Sequence, residues 1–420
     1  MDDLSVKTGK RVVVLGAGSA GTMMVNKLRT RLPDEWQVVA VDRDNAHMYQ
    51  PGFLFIPVGK YKPSRVVHSR KKYLLPGIDF VEAAVEKVVT AENKVYLSSG
   101  QAIEYDYLLI ATGTQIRPDL TEGMADGALW FKKVFEFYTY EGSVALRRAL
   151  EEFEGGKVVV HVTDMPIKCP VAPLELSFLI DDYFRKKRIR HKVDLTYVTP
   201  LDGAFSKPVA SRELGNLLDD RAIRLRPDFA IDRIDNETQE LVGYDGTRIP
   251  FDLCITTPLN TGQDYVFASD IGDESGFIPV DKHTLQSTDA PNVFAIGDAT
   301  NLPTSKAGAV AHFSSEKLIE NMVGLMLEGK QPAERFDGHA NCFVESGRGQ
   351  ALLLDFNYDT QPLTGTYPLA HVGPMKLLGR SRLNHMGKLA FEKMYWGLLM
   401  RNRKNPLPAD MQIAGKKWEE

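Results

Sequence analysis

The sequence predicts an α/β protein with two parallel-sheet domains followed by a C-terminal region that carries an amphipathic helix. Short apolar strands, Arg11 to Leu15 and Lys157 to Val162, each lead through a turn into a helical pattern. A third observation is the apolar period of three to four residues from Ser381 to Met400. Alternation of strands and helices is typical of parallel sheets covered by helices.

Composition sets the bounds on these expectations. The chain has 420 residues, 43% hydrophobic and 25% charged, which suits two or three globular domains. With a formal net charge of -4, nucleic acid is not an expected partner, although Lys376 to Glu420 carries ten Lys/Arg against four Asp/Glu. Three cysteines are too few for a disulfide-stapled secreted scaffold. No signal peptide is expected from the polar first ten residues, and no metal site is expected.

The first turn carries a glycine pattern that predicts a dinucleotide site of the Rossmann type. Gly16, Ala17, Gly18, Ala20 and Gly21 form GxGxxG between the first strand and a helix. Gly16 permits the tight turn, Gly18 lets a pyrophosphate approach the backbone, and Gly21 lets helix and strand pack closely.

The second strand, Trp36 to Val41, ends at Asp42 and Arg43. An acid about 20 residues after the glycines is expected to accept hydrogen bonds from a ribose. The alternative to a dinucleotide site is a glycine-rich turn that holds no ligand.

Two later segments favour FAD over NAD. Tyr105 to Gly113 reads as a strand that ends in Ala111, Thr112 and Gly113. Asn292 to Ala299 reads as a strand that ends in Gly297 and Asp298. Flavoproteins with two dinucleotide-binding domains carry these motifs in this order, so the order implies one FAD. The alternative role for Asp298 is that of N-cap to a helix predicted over Thr300 to Met322.

The second turn, Thr163 to Pro170, has lost the features of a nucleotide site. It contains no glycine, and Pro166 and Pro170 remove two amide donors. The next strand, Val193 to Val198, is followed by Thr199 and Pro200 rather than by an acid. The fold is therefore expected to be kept without a functional NAD site, so electrons must come from another donor.

Cysteines stand in two conspicuous places. Cys169 replaces the glycine turn just before Pro170, which favours the first helical position. A cysteine at a helix N-terminus beside Lys168 is expected to hold a stabilised thiolate. Cys342 lies beyond the FAD domain, and Cys254 lies in a strand pattern that suits a small buried hydrophobe.

The run Lys168-Cys169-Pro170-x-Ala172-Pro173-x-Glu175 resembles the sulfide:quinone oxidoreductases. The resemblance covers about Arg11 to Lys404. It implies that Cys169 and Cys342 form a redox pair at the flavin, cycling through disulfide and persulfide forms, with Cys342 closer to the flavin. Sulfide and a membrane quinone are the implied substrates. The resemblance leaves the oligomeric state open between monomer and homo-oligomer.

The same resemblance assigns further roles. Lys306, in Thr304 to Ala309, would stabilise the reduced flavin, and His47 to Pro57 would pack over its ring. Glu175 is a candidate base, with a plain surface carboxylate as the alternative. The complete set expected to bind FAD is Gly16, Ala17, Gly18, Ala20, Gly21, Asp42, Arg43, Val85, Ala111, Thr112, Gly113, Gly297, Asp298, Lys306 and Ala309. Many family members carry a third cysteine near Trp130 to Tyr140, which this sequence lacks.

The C-terminal pattern predicts peripheral membrane association through residues 381–404. Leu383, Met386, Ala390, Met394 and Leu398 fall on one helical face, with basic residues at its end. The alternative is a helix packed on the FAD domain or on a second subunit. Phe343, Phe356 and Phe391 are weak candidates to flank a quinone.

The expected domains are an FAD-binding domain at 9–118 and 288–330, a second Rossmann-like domain at 119–287, and a C-terminal region at 331–420. Three other functions fit parts of the pattern: a type II NADH:quinone reductase, a sulfide dehydrogenase that passes electrons to a cytochrome, and a flavin-binding sensor without turnover.

Overall fold

The computed structural model describes residues 9–367, 373–403 and 408–417. These residues form two parallel sheets of five strands each and a smaller mixed sheet at the C-terminal end. The predicted α/β class with two parallel-sheet domains and a C-terminal helix region is confirmed. The predicted tail residue Lys404 lies outside the described residues.

The first sheet forms around the apolar strand Lys10–Leu15. Its order is Val293–Ala295, Tyr107–Ile110, Lys10–Leu15, Trp36–Asp42 and Ile78–Glu82. Residues 12–15 are fully buried because the sheet is covered on both faces, which explains the unbroken apolar run. Helix Ser19–Arg31 follows the glycine turn directly and contacts helix Gly308–Glu328.

The second sheet repeats this arrangement. Its order is Val134–Phe135, Leu253–Thr257, Gly156–Val162, Val193–Val198 and Arg224–Arg226, all parallel. Helix Ala172–Lys186 follows its central strand through a longer turn. Cys254 is fully buried in this sheet, as its strand pattern predicted.

Backbone pairing joins the two domains. Strand Gln115–Arg117 pairs antiparallel with Leu259–Thr261, and Lys168 pairs with Lys306 in an isolated bridge. One continuous hydrophobic core includes residues of both parallel sheets. The turn that carries Cys169 is therefore fixed to the FAD-binding domain by backbone hydrogen bonds.

The C-terminal region is a mixed sheet with one helix packed on it. The order is Ala340–Glu345, Ala351–Phe356, Met375–Leu377, Thr364–Tyr367 and Lys416–Lys417. Helix Arg382–Gly397 begins after Ser381, whose hydroxyl accepts a hydrogen bond from the amide of Asn384. Gly387 lets this helix approach the first strand, since a Cβ there would lie 2.9 Å from the Phe343 ring.

Three further α-helices and several short strands are present among the described residues. The other helices are Tyr140–Glu152, Pro208–Asp220 and Asp264–Ser269. Two three-stranded antiparallel sheets consist of Val85–Val89, Lys94–Leu97 and Ala102–Glu104, and of Ile231–Asp235, Glu240–Gly243 and Arg248–Pro250. Strands Ala46–Met48 and Val67–Ser69 form a further antiparallel pair.

One helix prediction needs correction. The helix expected over Thr300 to Met322 is Gly308–Glu328, so Asp298 is not its N-cap. The C-terminal helix packs its aromatic side on the FAD-binding domain, with Tyr395 and Trp396 buried. Leu383 and Met386 remain 48% and 62% exposed. In the part of the chain that the structure describes, no helix has the length and apolar character needed to cross a membrane.

Candidate functional site

A cavity of about 550 Å³ opens at the carboxyl ends of the strands in the first sheet. Gly16, Asp42, Ala111 and Gly297 each follow or end one of these strands and line it. Ligands of open α/β sheets bind in this position. Its volume falls in the range of cofactor and small-molecule sites, roughly 300–1,000 Å³.

Most residues expected to bind the cofactor line this cavity. They are Gly16, Gly18, Ala20, Asp42, Arg43, Val85, Ala111, Thr112, Gly113, Gly297, Asp298 and Lys306. Ala17, Gly21 and Ala309 do not line it. Ala17 and Gly21 instead pack within the turn, against Asp42 and Gly16. Ala309 lies in the first turn of helix Gly308–Glu328, where Gly308 and Ala311 line the cavity.

The glycines around the cavity are of two kinds. A Cβ on Gly16 would lie 2.5 Å from the Ala111 carbonyl oxygen, and one on Gly21 would lie 1.8 Å from that of Gly16. These two glycines permit close packing of the turn. A Cβ on Gly18, Gly113 or Gly308 would meet no atom within 4 Å. These three present bare backbone to the cavity, as a phosphate-binding cradle requires.

Asp42 ties the second strand to the glycine turn. Its carboxylate accepts hydrogen bonds from the amides of Ala17 at 2.7 Å and Arg43 at 2.8 Å, and it pairs with the Arg70 guanidinium at 3.2 Å. Burial raises the pKa of Asp42 above its ordinary value, against the opposing charge of Arg70. Arg70 also donates to the Ala17 carbonyl at 2.7 Å, so it holds both sides of the turn.

Asp298 and Lys306 both line the cavity. The Lys306 ammonium donates to the backbone carbonyls of Asp298 at 3.0 Å and Thr300 at 2.7 Å, and lies 3.7 Å from the ring centre of Phe277. Burial lowers the pKa of Lys306 to about 8, and burial raises the pKa of Asp298. Both groups face the cavity, where a flavin would find one donor and one acceptor.

The Cys169 turn differs from the sequence prediction. Helix Ala172–Lys186 begins three residues later, with Val171 as its N-cap, so Cys169 is not at the helix N-terminus. Cys169 adopts a left-handed conformation with φ of 47°, which is uncommon for a residue with a side chain. Its amide donates to the Lys306 carbonyl at 2.6 Å. The Lys168 ammonium donates instead to Gln50 and to the Tyr138 carbonyl, both at 3.0 Å.

Cys169 and Cys342 meet at a small niche of about 10 Å³ beside the main cavity. Cys169 lines both spaces, whereas Cys342 lines the niche alone. The remaining lining residues are mostly apolar: Pro170, Val171, Phe205, Ser305, Leu354 and Phe356. A space of this size holds roughly one water-sized atom.

The structure does not show the predicted stabilisation of a Cys169 thiolate. Burial raises the pKa of the Cys169 thiol above its ordinary value, and the Glu175 carboxylate acts in the same direction. Burial likewise raises the pKa of Cys342 to about 12. The Lys388 ammonium opposes both shifts without cancelling them.

Glu175 is buried, with 1% of its surface exposed, and lines the cavity together with Cys169. The surface-carboxylate alternative is thereby excluded. Glu175 pairs with the Lys388 ammonium and accepts a hydrogen bond from the Glu345 amide at 2.6 Å. Burial raises the pKa of Glu175, and Lys388 opposes that rise.

The loop predicted to cover the flavin ring does line the cavity, through Gln50, Pro51, Phe53 and Leu54. From the C-terminal helix, Phe391 and Tyr395 close the same side. The Tyr395 hydroxyl lies 2.7 Å from Ser19 Oγ and 2.6 Å from His47 Nε2.

The three phenylalanines proposed around a quinone do not share one site. Phe391 lines the main cavity and Phe356 the cysteine niche, whereas Phe343 packs against Gly387. Only Phe391 remains a candidate for the quinone site.

Sequence reasoning missed Arg70, Lys388 and Tyr395. Each comes from a segment without a motif and reaches the site by long-range packing. Lys388 offered one usable signal, since a lysine within an otherwise apolar stretch of helix needs a buried partner.

Comparisons with known proteins agree with this geometry. Residues 10–160 match the family described as pyridine nucleotide-disulphide oxidoreductase. The mitochondrial sulfide:quinone oxidoreductase of Mus musculus is 28% identical over 403 residues, covering 94% of this chain and 88% of that protein. The mitochondrial sulfide:quinone oxidoreductase of Schizosaccharomyces pombe is 26% identical over 426 residues, covering 94% and 91%.

Among solved structures, the X-ray structure of the Aquifex aeolicus sulfide:quinone oxidoreductase matches with a TM-score of 0.79 and 22% sequence identity. It covers 94% of this chain and 92% of that one. The bare backbone of Gly18, Gly113 and Gly308 fits FAD as the bound cofactor. The resemblance to the sulfide:quinone oxidoreductases is confirmed, as is the assignment of this chain to the FAD-dependent flavoproteins.

Proposed function

We propose that this chain is a sulfide:quinone oxidoreductase that oxidises hydrosulfide at Cys169 and Cys342. The observation that carries the proposal is the position of Cys169. It occupies the turn of the second nucleotide domain, touches the cofactor cavity and shares a niche with Cys342. A reactive sulfur thus lies where a nicotinamide carrier would bind in a related flavoprotein.

The chemistry begins with the oxidised cysteine pair. Hydrosulfide attacks the Cys169 sulfur, the bond to Cys342 breaks, and a Cys169 persulfide and a Cys342 thiolate result. Bound FAD supplies the acceptor for the electron pair and the means of passing it to a quinone. In the net reaction, hydrosulfide, quinone and one proton give one sulfane sulfur atom and one quinol. The niche of about 10 Å³ has room for roughly one added sulfur atom.

Glu175 is the proposed base that takes the proton of the Cys169 persulfide after this step. Burial raises its pKa above the ordinary carboxylate value, and Lys388 opposes that rise. Lys388 lies against Glu175 and near both thiols, so its positive charge favours an anionic sulfur. Lys306 and Asp298, which line the same cavity, are proposed to orient the flavin.

The geometry of the second turn argues against a type II NADH:quinone reductase. The amides of Thr163, Met165, Lys168 and Cys169 already donate hydrogen bonds within the protein. Pro166 and Pro170 have no amide hydrogen. A pyrophosphate would have to displace these bonds, which cost about 0.5–1.5 kcal/mol each.

Anaerobic titration of the purified holoprotein tests the proposal. Sulfide should bleach the flavin absorbance, whereas the same concentration of NADH should leave it unchanged. Adding a soluble quinone to the sulfide-reduced protein should restore the oxidised spectrum, and adding cytochrome c alone should not. Rapid bleaching by NADH would overturn the proposal in favour of a nicotinamide-linked enzyme. Restoration by cytochrome c would favour a sulfide dehydrogenase.

We further propose that the protein binds the membrane surface through the start of the C-terminal helix. Leu383 and Met386 are exposed there, beside the exposed basic side chains of Arg382 and Lys393. Apolar residues flanked by basic residues suit the interface of an anionic bilayer.

The double variant Leu383→Glu, Met386→Glu should lower recovery of the protein in flotation with anionic vesicles by about tenfold or more. Leu120→Glu is the matched control, since Leu120 is 52% exposed on a different face. Equal recovery of all three proteins would remove the membrane proposal without touching the sulfide chemistry.

A further inference from the structure

The niche between the two cysteines is closed by large apolar side chains. Phe205, Leu354 and Phe356 line it and are 4%, 1% and 2% exposed. Its volume of about 10 Å³ is at the lower limit for a single water molecule. A sulfur atom is larger than the oxygen of water, so one atom added to Cys169 fills the niche.

Two of these walls belong to an inner strand of the C-terminal sheet. Strand Ala351–Phe356 pairs on one side with Ala340–Glu345, where Leu354 lies opposite Cys342. On its other side it pairs with Met375–Leu377. Because the strand is hydrogen-bonded along both edges, its side chains cannot withdraw from the niche without breaking the sheet. The size of the niche is therefore set by the fold.

The walls suit one sulfur atom and oppose a longer chain. Sulfur is polarisable and makes favourable contacts with aromatic rings, which Phe205 and Phe356 offer. A second added atom would have to push these buried side chains aside, and overpacking of a buried space is destabilising. The space on the other side of Cys169 is the cofactor cavity, which FAD occupies in the holoprotein.

We infer that Phe205, Leu354 and Phe356 are specificity-determining residues that limit the sulfur chain on Cys169 to one added atom. This inference rests on the proposed sulfide chemistry and names the form of its product. A nucleophile, such as a second hydrosulfide, must remove the added atom before the next cycle. It attacks the outer sulfur, the sulfur–sulfur bond breaks, and Cys169 leaves as a thiolate that takes up a proton. Sulfur then leaves the protein one atom at a time and not as a long polysulfide.

Counting the sulfur atoms on the holoprotein tests this inference. The protein is incubated anaerobically with sulfide and a soluble quinone, freed of small molecules and treated with cyanide. Cyanide attacks each outer sulfur atom and carries it away as thiocyanate. We expect about one thiocyanate per parent protein. Mass spectrometry of the peptide that carries Cys169 gives the length of the chain directly.

Two variants enlarge the niche. Leu354→Ala removes the branched end of a side chain opposite Cys342, and we expect it to raise the thiocyanate count about twofold or more, because the space left behind admits further sulfur atoms. Phe356→Leu is the milder change, and we expect it to raise the count by a smaller factor. Flavin content and thermal midpoints of both variants identify any loss of fold.

Leu353→Ala is the matched control. Leu353 is the neighbouring residue on the same strand and is fully buried, but it lies on the opposite face of the sheet, where it packs with Tyr367 and Leu377. We expect the parent count in this variant. Inorganic polysulfide loads sulfur onto thiols without flavin chemistry, and it should rank the parent and the three variants in the same order.

Either of two results would overturn the inference. The first is a chain of more than one added atom on Cys169 in the parent protein. The second is the parent count in folded Leu354→Ala and Phe356→Leu. If sulfide leaves the flavin of the parent protein unbleached, the proposed function fails instead, and loading with polysulfide still decides whether the niche limits the chain.

Discussion

The two parallel sheets each end their central strand in a turn, and the two turns use their backbone amides in different ways. After Lys10–Leu15 the helix begins at Ser19, and Gly18 presents open backbone to the cavity. After Gly156–Val162 the helix begins only at Ala172. In the intervening turn, the amides of Lys168 and Cys169 donate hydrogen bonds to the Asn260 side chain and to the Lys306 carbonyl.

This difference shows how one fold can serve two chemistries. The first turn leaves the space in front of Gly18 clear of side chains, where a phosphate would lie. The second turn gives up its donors, binds the neighbouring domain and presents a sulfur atom to the same cavity. A nucleotide-binding position thus becomes part of a dithiol site without any change in strand order.

The largest expected effect on the rate of flavin bleaching comes from removing the sulfur atoms of the second turn's cysteine pair. Cys169→Ser and Cys342→Ser should each lower the rate of sulfide-driven flavin bleaching by about 10³-fold or more, because neither a persulfide nor a disulfide can form. Stopped-flow absorbance measures the rate. The matched control is Cys254→Ala, since Cys254 is buried in the second sheet away from both cavities. A normal rate in Cys342→Ser would contradict the role of the pair.

A smaller effect, on FAD affinity, is expected when a side chain is placed in the first turn. Gly18→Val places a side chain in space that is open in the protein alone, so the fold should persist while FAD binding weakens. Loss of a charge-assisted amide contact predicts an affinity lower by about 10- to 100-fold. Fluorescence titration of the apoprotein measures it. Gly16→Val should instead fail to fold, because its Cβ would collide with the Ala111 carbonyl. Unchanged FAD affinity in Gly18→Val would show that the phosphates bind elsewhere.

The smallest effect concerns the strand beneath the second turn. His161 is fully buried there, where the first sheet has Val14, and its Nε2 finds no hydrogen-bond partner among the described residues. Burial lowers the pKa of His161 to about 3. Because the unfolded chain binds this proton near pH 6.5 and the folded chain does not, stability is full above pH 6.5 and falls as the pH drops toward 3.

His161→Gln should remove about 2 kcal/mol of the stability difference between pH 7 and pH 5. Urea unfolding at both pH values measures this difference. His191→Gln, at an exposed position, serves as the control. An equal pH dependence in His161→Gln and the parent protein would show that the imidazole is charged or hydrated in the folded state.

The parts of the site that the sequence predicted are those encoded within one strand and its turn. The glycine cradle, Asp42 and the Gly297–Asp298 pair were found because strand ends and turns carry local signals. The two cysteines were found because one stands where glycine was expected. The position of Cys169 relative to its helix was predicted wrongly, since Pro170 and Pro173 both suit a first helical turn. The domain boundaries at 118, 287 and 330 stay predictions.

The charged environment of the cysteines could not be predicted in the same way. Glu175, Glu345 and Lys388 come from three separate segments and meet only when the C-terminal sheet and its helix pack on helix Ala172–Lys186. Their sequence contexts are ordinary for surface residues. Only tertiary packing makes them buried, and burial gives them their chemical effect.

The contact of Tyr395 with Ser19 and His47 has a consequence for biosynthesis. The helix that carries Tyr395 closes one side of the cofactor cavity, and the ribosome makes it after both nucleotide-type domains are complete. Domains fold as units during translation, beginning with the N-terminal ones. The N-terminal domains can therefore fold before the last helix closes this side of the cofactor cavity.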